Sequence, residues 1–237
     1  MKRIAIIGAG TMGTALYSAL KEKFDVLLCG RGDTPDADVV LFCVKPQDFA
    51  ACVDGLSMNL SQRFVISIMA GVSLKTLTEK TGATAVVRSM PNLPTQVGKG
   101  FTAWIASDAV TEKDFVKSIF AAVGEEMELR DETQLNAITA LSGSGPGYFF
   151  YFCELLEEKA REWGFSEEES KKIVCATFVG SAKLLETSDK SAGEWKRTVA
   201  SKGGTTEAAL RHLEDGGFGA ILKRAMEQAK KRSESLQ

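Results

Sequence analysis

The sequence predicts an α/β fold, in which a doubly wound, mainly parallel sheet at the N-terminus is followed by an all-α domain. Two observations predict it. Short β-rich runs alternate with helical runs through the first half of the chain, an order typical of parallel strands covered by helices on both faces. After about Arg130 no strand-like run remains, and nearly every segment has helical periodicity.

The predicted strands are short and apolar. The first is continuous in its apolar residues, as expected of a strand that is buried on both faces. Two later runs, GFTAWIA and EEMELR, are expected to add edge strands. The five strand runs that precede them are KRIAIIG, DVLLCG, VVLFCV, RFVISIM and TAVVRSM.

A glycine-rich turn follows the first predicted strand and opens the first helix, with the pattern Gly8-x-Gly10-x-x-Gly13. Gly8 permits the tight turn, Gly10 lets a pyrophosphate approach the backbone, and Gly13 lets helix and strand pack closely. The free N–H groups and the dipole of the helix favour negative charge at its start. We therefore predict a Rossmann-type dinucleotide-binding domain over residues 1–131.

The end of the second strand bears on the choice of cofactor. NAD sites often place Asp or Glu there, whereas this chain has Gly30 followed by Arg31, whose guanidinium can pair with a 2′-phosphate. The sequence therefore favours NADPH. Asp33 lies close enough to keep NADH as the alternative.

Residues 132–237 are expected to form a helical domain that dimerises. Its segment 166–188 begins with Ser166 followed by Glu169, the spacing of a capping box. A broad apolar face on a long helix in a small all-α unit needs a partner, and we predict that the partner is a second copy of the chain. The face consists of Ile173, Val174, Thr177, Phe178, Ala182, Leu184 and Leu185.

Composition excludes several classes of function. The formal net charge of −2 does not favour binding to nucleic acid or to an anionic membrane, and no apolar run reaches the roughly 20 residues of a membrane span. The apolar N-terminal stretch is too short for a signal-peptide core and is read as the first strand.

The five cysteines form no C-x-x-C pair and are expected to be mostly buried free thiols in a reducing cytoplasm. The single histidine, His212, is expected on a helix surface or in packing, which argues against a histidine-based metal site and a hydrolase. No metal site is predicted.

A set of motifs then resembles the pyrroline-5-carboxylate reductase family over about residues 2–236. In order they are IIGAGTMGTAL, FCVKPQ, SIMAGVSL, VRSMPNLPTQVGKG, ALSGSGPGYFF and GGTTEAALRHLEDGGF. The resemblance implies a cytoplasmic, NAD(P)H-dependent enzyme that transfers hydride to the imine carbon of 1-pyrroline-5-carboxylate, giving L-proline in the last step of its biosynthesis. It also implies a Rossmann domain, a helical dimerisation domain and, in some members, rings of dimers.

The resemblance assigns roles to the matching positions. Residues at the ends of four strand runs would bind the cofactor, and the stretch 143–147 would open the long helix near the nicotinamide. With Arg31, which the end of the second strand contributes, the expected cofactor residues are Ile7, Gly8, Ala9, Gly10, Thr11, Met12, Gly13, Cys43, Val44, Lys45, Pro46, Ile68, Met69, Ala70, Met90, Pro91 and Asn92.

The stretch SKGGTTEAAL matches the family's substrate loop. The expected substrate residues are Ser201, Gly203, Gly204, Thr205 and Thr206. Backbone N–H groups around Gly203, Gly204 and Thr205 would bind the substrate carboxylate, and the Thr206 hydroxyl would form the catalytic hydrogen bond to the ring nitrogen. No acid–base histidine or carboxylate is expected, because an imine can take its proton from solvent.

The chain departs from the family pattern in three ways. The segment after the second strand is short by about one helix and one strand, so the adenosine end of the cofactor site is expected to be more open. Lys202 stands where proline is usual, which predicts a less rigid loop. Gly147 replaces alanine and Leu93 replaces threonine, and both changes are expected to be tolerated.

Two alternatives stay open. A β-hydroxyacid dehydrogenase-like oxidoreductase would share the domain plan but needs a lysine early in the first long helix, and the first lysine there is Lys159. A sensor that binds NADP without catalysis would fit the shortened segment and Lys202.

Overall fold

The structure is a computed structural model that describes residues 2–30, 33 and 35–236. The chain divides into two compact units. The first contains residues up to 146 together with the C-terminal stretch from 227, and the second contains residues 147–226.

The first unit is built on a seven-stranded sheet in the order β2-β1-β3-β4-β5-β6-β7. Neighbouring strands are parallel except for β5 and β6, which are antiparallel. The fold class is therefore as predicted. The strands are β1 (Arg3–Ile7), β2 (Asp25–Cys29), β3 (Val39–Phe42), β4 (Phe64–Ser67), β5 (Val86–Met90), β6 (Gly100–Ala106) and β7 (Gly124–Glu128).

The prediction that both late strands lie at an edge is wrong for β6. β7 is at the edge, whereas β6 lies between β5 and β7. Its Trp104 is fully buried, and the indole N–H donates to Glu126 on β7 over 2.6 Å. Because β6 pairs with β5 on one side and with β7 on the other, it is an internal strand.

The connection between β2 and β3 is unusually short. Residues 30–38 carry the chain past β1 without a helix or strand among their described members, where parallel strands usually need a longer, helical crossover. Ala37 in this connection is buried with Cys29 and Val40 on one face of the sheet. β2 consequently forms an edge, and Leu27 is exposed.

Helices cover both faces of the sheet because the strands are apolar on both faces. One core joins Ile4 and Ile6 to Leu16 and Phe120, on the face covered by α1 and α4. The other core joins the opposite face to α2 and α3. These helices are α1 (Thr11–Leu20), α2 (Phe49–Asp54), α3 (Leu74–Thr81) and α4 (Lys113–Ala121).

The unit boundary does not fall at residue 131, where the sequence divides. The short helix α5 (Gln134–Ile138) buries Leu135 against Met90 and Ala103 of the sheet. The C-terminal end returns to the same unit, where the Ser233 hydroxyl donates to Asn136 Oδ1 over 2.9 Å. These contacts draw both ends of the helical region into the first unit.

The second unit is entirely helical, as predicted. Ser166 and Glu169 form the predicted capping box at the start of α7, and a second capping box joins Ser191 and Glu194 at the start of α8. The helices that make up or enter this unit are α6 (Gly145–Glu162), α7 (Glu167–Glu186), α8 (Ala192–Val199), α9 (Thr205–Asp215) and α10 (Phe218–Glu234).

The cysteines are free thiols, as predicted, but they are less buried than expected. Cys29 is buried, whereas Cys175 on α7 is exposed. His212 is exposed on α9, as predicted for a surface residue. Within the described residues, no helix combines the length and apolar character needed to cross a membrane.

Candidate active site

The predicted cofactor residues lie at one edge of the sheet. β1, β3, β4 and β5 are neighbours and run parallel, so their carboxyl ends meet at the same edge, which is where doubly wound sheets bind their ligands. Arg31 lies outside the described residues. Placed at or directly after these four strand ends are Ile7, Gly8, Ala9, Gly10, Thr11, Met12, Gly13, Cys43, Val44, Lys45, Pro46, Ile68, Met69, Ala70, Met90, Pro91 and Asn92.

The glycines of the first loop are required by close packing. Gly8 has φ +113°, and an added Cβ would lie 2.8 Å from the carbonyl oxygen of Cys43. A Cβ on Gly13 would lie only 1.8 Å from the carbonyl oxygen of Gly8. The turn and the start of α1 are therefore held against the end of β3 with no room for a side chain.

Gly10 differs from these two glycines, because an added Cβ would meet no protein atom within 4 Å. Gly10 is the N-cap of α1, and no side chain caps this helix. The first N–H groups of an uncapped helix have no intrahelical acceptor and favour an anion. The loop therefore fits a dinucleotide pyrophosphate at the place that the glycine pattern predicts.

Not every predicted side chain at this edge can touch a ligand. Ile7 and Met69 are buried in the core, so only their backbone can face a cofactor. Cys43 follows β3, and burial raises the pKa of its thiol, so the thiol stays neutral. At Ile7 and Met69 a ligand would therefore meet backbone, and at Cys43 an uncharged thiol.

A cleft of about 560 Å³ lies beside the first glycine loop. It is lined by Gly8, Gly30 and Val44, and by residues of the segment 48–56 that sequence reasoning did not single out, among them Asp48 and Cys52. The Asp33 carboxylate accepts a hydrogen bond from the Gly30 N–H over 2.7 Å, which ties it to the end of β2.

Asn92 connects three segments next to this edge. Its side-chain oxygen accepts from the Phe101 N–H over 2.8 Å, and its amide nitrogen donates to the Ser142 hydroxyl over 3.2 Å. Ser142 lies in a π-helical turn, Thr139–Gly143, a form of backbone found frequently at functional sites. A Cβ on Gly143 would lie 3.5 Å from the Met90 sulfur, so this turn runs close to the end of β5.

An ion pair whose arginine is buried supports the same edge and was missed by sequence reasoning. Arg88 on β5 is 1% exposed and donates to Glu132 Oε1 over 2.7 Å. The same oxygen accepts from the Leu74 N–H at the start of α3 over 2.9 Å. The pair joins β5, α3 and the segment before α5, and the only signal in the sequence was one charge inside an apolar strand run.

The second glycine-rich loop, residues 201–206, lies in the second unit between α8 and α9. The Gly204 N–H donates to the Ser201 carbonyl over 3.0 Å, and Gly203 has φ +74°, while none of the described residues other than glycine has positive φ. This combination defines a type II turn with Lys202 at its second position. A Cβ on Gly204 would lie 2.6 Å from the Ser201 hydroxyl and 3.0 Å from the Ser201 carbonyl oxygen, so a side chain there would crowd the turn.

The structure changes which donors of this loop are available. The Gly203 N–H donates to Glu207 Oε2 over 2.6 Å, and the Gly204 N–H is used inside the turn. The expectation that both N–H groups face a substrate carboxylate therefore does not hold in this conformation. α9 has Gly204 as its N-cap with no side-chain cap, which leaves the N–H groups of Thr205 and Thr206 as donors at the helix start.

Glu207 is the residue of this loop that sequence reasoning missed. It stands at the third position of α9, where a carboxylate commonly reaches back to the N–H groups before the helix. The spacing of three residues between Gly204 and Glu207 was the signal in the sequence that could have identified it.

Lys159 does not fit the role of a catalytic lysine. It is about half exposed, forms an ion pair with Glu162, and lies 5.9 Å from the centre of the Trp163 ring. Both partners belong to the same helix or its end, so the lysine is held on the surface of α6.

Comparison with known proteins shows which family the chain resembles. Residues 132–236 match the model of the pyrroline-5-carboxylate reductase dimerisation domain, and residues 31–71 match a model described as NADP oxidoreductase, coenzyme F420-dependent. The chain is 32% identical to the pyrroline-5-carboxylate reductase of Pseudomonas aeruginosa, over 99% of this chain and 96% of that protein. It is 37% identical to the Arabidopsis thaliana enzyme, over 94% and 84%.

The fold is also similar to that of a solved pyrroline carboxylate reductase. A crystal structure of Plasmodium falciparum pyrroline carboxylate reductase with NADP bound superposes with a TM-score of 0.89 at 28% identity, covering 99% of this chain and 98% of that one. By sequence and by fold, the chain belongs to the pyrroline-5-carboxylate reductase family.

Proposed function

We propose that the chain is an oxidoreductase that reduces the C=N bond of 1-pyrroline-5-carboxylate to give L-proline, the last step of proline biosynthesis. The observation that carries the proposal is the start of α9, where uncapped N–H groups and two threonine hydroxyls follow a tight glycine turn. Such a site can hold one small carboxylate and hydrogen-bond a neighbouring polar atom. The family membership supports the same reaction.

NADPH is the reductant, and it supplies the hydride when it is bound. The uncapped start of α1 would hold the pyrophosphate, with Gly10 as the point of closest backbone approach. The strand-end residues at 43–46, 68–70 and 90–92 would line the rest of the dinucleotide. Asn92 would keep its neighbours in register rather than bind as a free side chain, because both ends of its amide are already bonded.

The substrate would be held by α9 in two ways. The N–H groups of Thr205 and Thr206 would bind the carboxylate, and the helix dipole favours negative charge there. The Thr206 hydroxyl would hydrogen-bond the ring nitrogen, whose proton comes from solvent. Ser201, Gly203 and Gly204 would act through the shape of the turn that presents these donors.

Steady-state kinetics test this proposal. We expect NADPH oxidation that depends on 1-pyrroline-5-carboxylate, with less activity for NADH and for the six-membered cyclic imine. Tight NADPH binding without turnover on either imine would contradict the proposal and would favour the non-catalytic sensor.

We infer that residues 132–237 dimerise and bind substrate, and that dimers assemble further into a ring in the cytoplasm. A cluster of large apolar side chains on α6 supports the dimer, because a single chain leaves them exposed to water. Sedimentation should give a dimer or a multiple of it, and a stable monomer would contradict the inference. The exposed residues of this cluster are Phe149, Phe150, Tyr151, Phe152, Leu155 and Leu156.

A further inference from the structure

We propose that Glu207 is a positioning residue that orders the 201–206 loop for substrate binding. The inference rests on the proposed function, because one of its readouts is the affinity for the imine. Its basis is the hydrogen bond between the Glu207 carboxylate and the Gly203 N–H, which is 2.6 Å long.

The turn at Ser201 to Gly204 lacks one common source of rigidity. Lys202 occupies the second position of a type II turn, where proline sets the required φ in advance. A lysine leaves that φ free in the absence of other contacts. Apart from the hydrogen bond between the Gly204 N–H and the Ser201 carbonyl, the order of the turn therefore depends on contacts with residues outside it.

Glu207 supplies such an interaction, and its own backbone is held in place by α9. It is the third residue of α9, so its backbone belongs to the helix, while Oε2 accepts from the Gly203 N–H in the turn. Oε1 lies 4.0 Å from the Arg211 guanidinium one turn further along the same helix. The carboxylate, whose side chain is 37% exposed, thus joins the turn to the helix by a charge-assisted hydrogen bond.

The order of the turn decides where the proposed substrate donors lie. The N–H groups of Thr205 and Thr206 directly follow Gly204, and a mobile turn would have to be ordered when substrate binds. That ordering lowers the observed affinity. Glu207 therefore acts on the substrate through the loop and needs no contact with it.

Five full-length variants test the inference, and one of them is Lys202→Pro alone. Glu207→Ala removes the hydrogen bond, and Glu207→Gln keeps an acceptor without the charge. Lys202→Pro combined with Glu207→Ala replaces the side-chain contact by a proline ring, which the turn accepts because the Lys202 N–H donates to no group of the described chain. Asp215→Ala is the control, since it removes the same charge from the exposed end of α9, about two turns away, and leaves the ion pair between Lys196 and Glu214 intact.

Glu207→Ala should raise the KM for the imine about three- to tenfold, as expected for the loss of one such hydrogen bond, with the KM for NADPH unchanged. Glu207→Gln should fall between wild type and Glu207→Ala, and Asp215→Ala should match wild type. Lys202→Pro should lower the KM more in the Glu207→Ala background than in the wild-type background. The inference would be overturned if the KM for the imine did not rise in Glu207→Ala, or if Lys202→Pro did not lower the KM in that variant.

Amide hydrogen exchange separates this inference from the proposed function. In Glu207→Ala, the Gly203 and Gly204 amides should exchange faster by a factor similar to the rise in KM. Adding Lys202→Pro to that variant should slow the exchange of the Gly204 amide again. Absence of turnover in the wild type would refute the proposed function, while the exchange rates would still decide whether Glu207 orders the turn. Unchanged exchange in Glu207→Ala would overturn the inference.

Discussion

The two glycine-rich loops of this chain look alike in sequence but are held in shape by different forces. In the loop at 8–13, a Cβ on Gly13 would collide with the Gly8 carbonyl, and Gly8 itself is pressed against Cys43. In the loop at 201–206, Gly203 has open space around its Cα and needs glycine only for its φ of +74°. Core packing fixes the first loop, whereas local hydrogen bonds fix the second.

This difference separates stability from function. A change in the first loop acts on the sheet and the helix it supports, so it reaches the whole first unit. A change in the second loop acts on one exposed turn and the helix start behind it. The first loop should therefore tolerate little variation, while the second can be adjusted by single side chains such as Glu207.

The largest expected effect is that of Gly13→Ala. The added Cβ would lie 1.8 Å from the Gly8 carbonyl oxygen, so the backbone must move, at a cost of about 3 kcal/mol in unfolding free energy. Urea unfolding measures this loss, and NADPH binding should be lost with it.

Gly10→Ala is the matched control for that variant. Its Cβ meets no protein atom within 4 Å, so the unfolding free energy should stay within about 1 kcal/mol of wild type. The NADPH Kd should nevertheless rise about tenfold or more, because the methyl group occupies the approach of the pyrophosphate. Equal losses of stability in both variants would break the comparison.

A smaller and local effect is expected of Gly203→Ala. A residue with a side chain at φ +74° costs about 1–2 kcal/mol, and the exposed turn can relieve that strain by changing shape. The KM for the imine should rise while the melting temperature moves little. Gly193→Ala in α8 makes the same substitution without positive φ and should leave that KM unchanged.

A pH effect on the second unit is the smallest that we expect. Hydrogen bonds from the Ser166 backbone and hydroxyl hold the pKa of Glu169 below its ordinary value of 4.5. Hydrogen bonds from the Ser191 hydroxyl and backbone lower the pKa of Glu194 in the same way. A carboxyl whose pKa is lower in the folded state stabilises it above 4.5, and this contribution is lost as pH falls through the folded value.

Thermal unfolding of Glu169→Gln at neutral pH and at pH values below 4.5 checks the direction of this pH effect on stability. Glutamine keeps an acceptor but does not titrate, so the melting temperature of the variant should lie below wild type at neutral pH. The gap should close as the pH falls below 4.5. A gap that widens in acid would contradict the role of the ionised capping boxes.

Periodic sequence patterns predicted most of the fold, because they report local structure directly. The alternation of strand and helix runs and the capping box at Ser166 could be read from neighbouring residues. The position of β6 could not, because strand order depends on pairing between distant segments. The exposure of Cys175 was missed for the same reason: an apolar helix face does not reveal whether its own chain covers it.

The meeting of four strand ends at one edge of the sheet was predictable, because parallel topology alone brings them together. The donors of the 201–206 loop were not, because the orientation of the Glu207 side chain decides whether the Gly203 N–H is free. The pairing of Arg88 with Glu132 was also hidden, since it joins residues that are far apart in the chain.

We propose that the first loop serves the cofactor and that the second serves the substrate. Thr206→Ala tests it most directly, with NADPH affinity measured by titration and hydride transfer measured in a single turnover. We expect an unchanged NADPH Kd and a hydride-transfer rate lowered about tenfold or more, with Thr206→Ser restoring most of that rate. Hydride transfer at the wild-type rate in Thr206→Ala, or an equal loss of NADPH affinity, would contradict it.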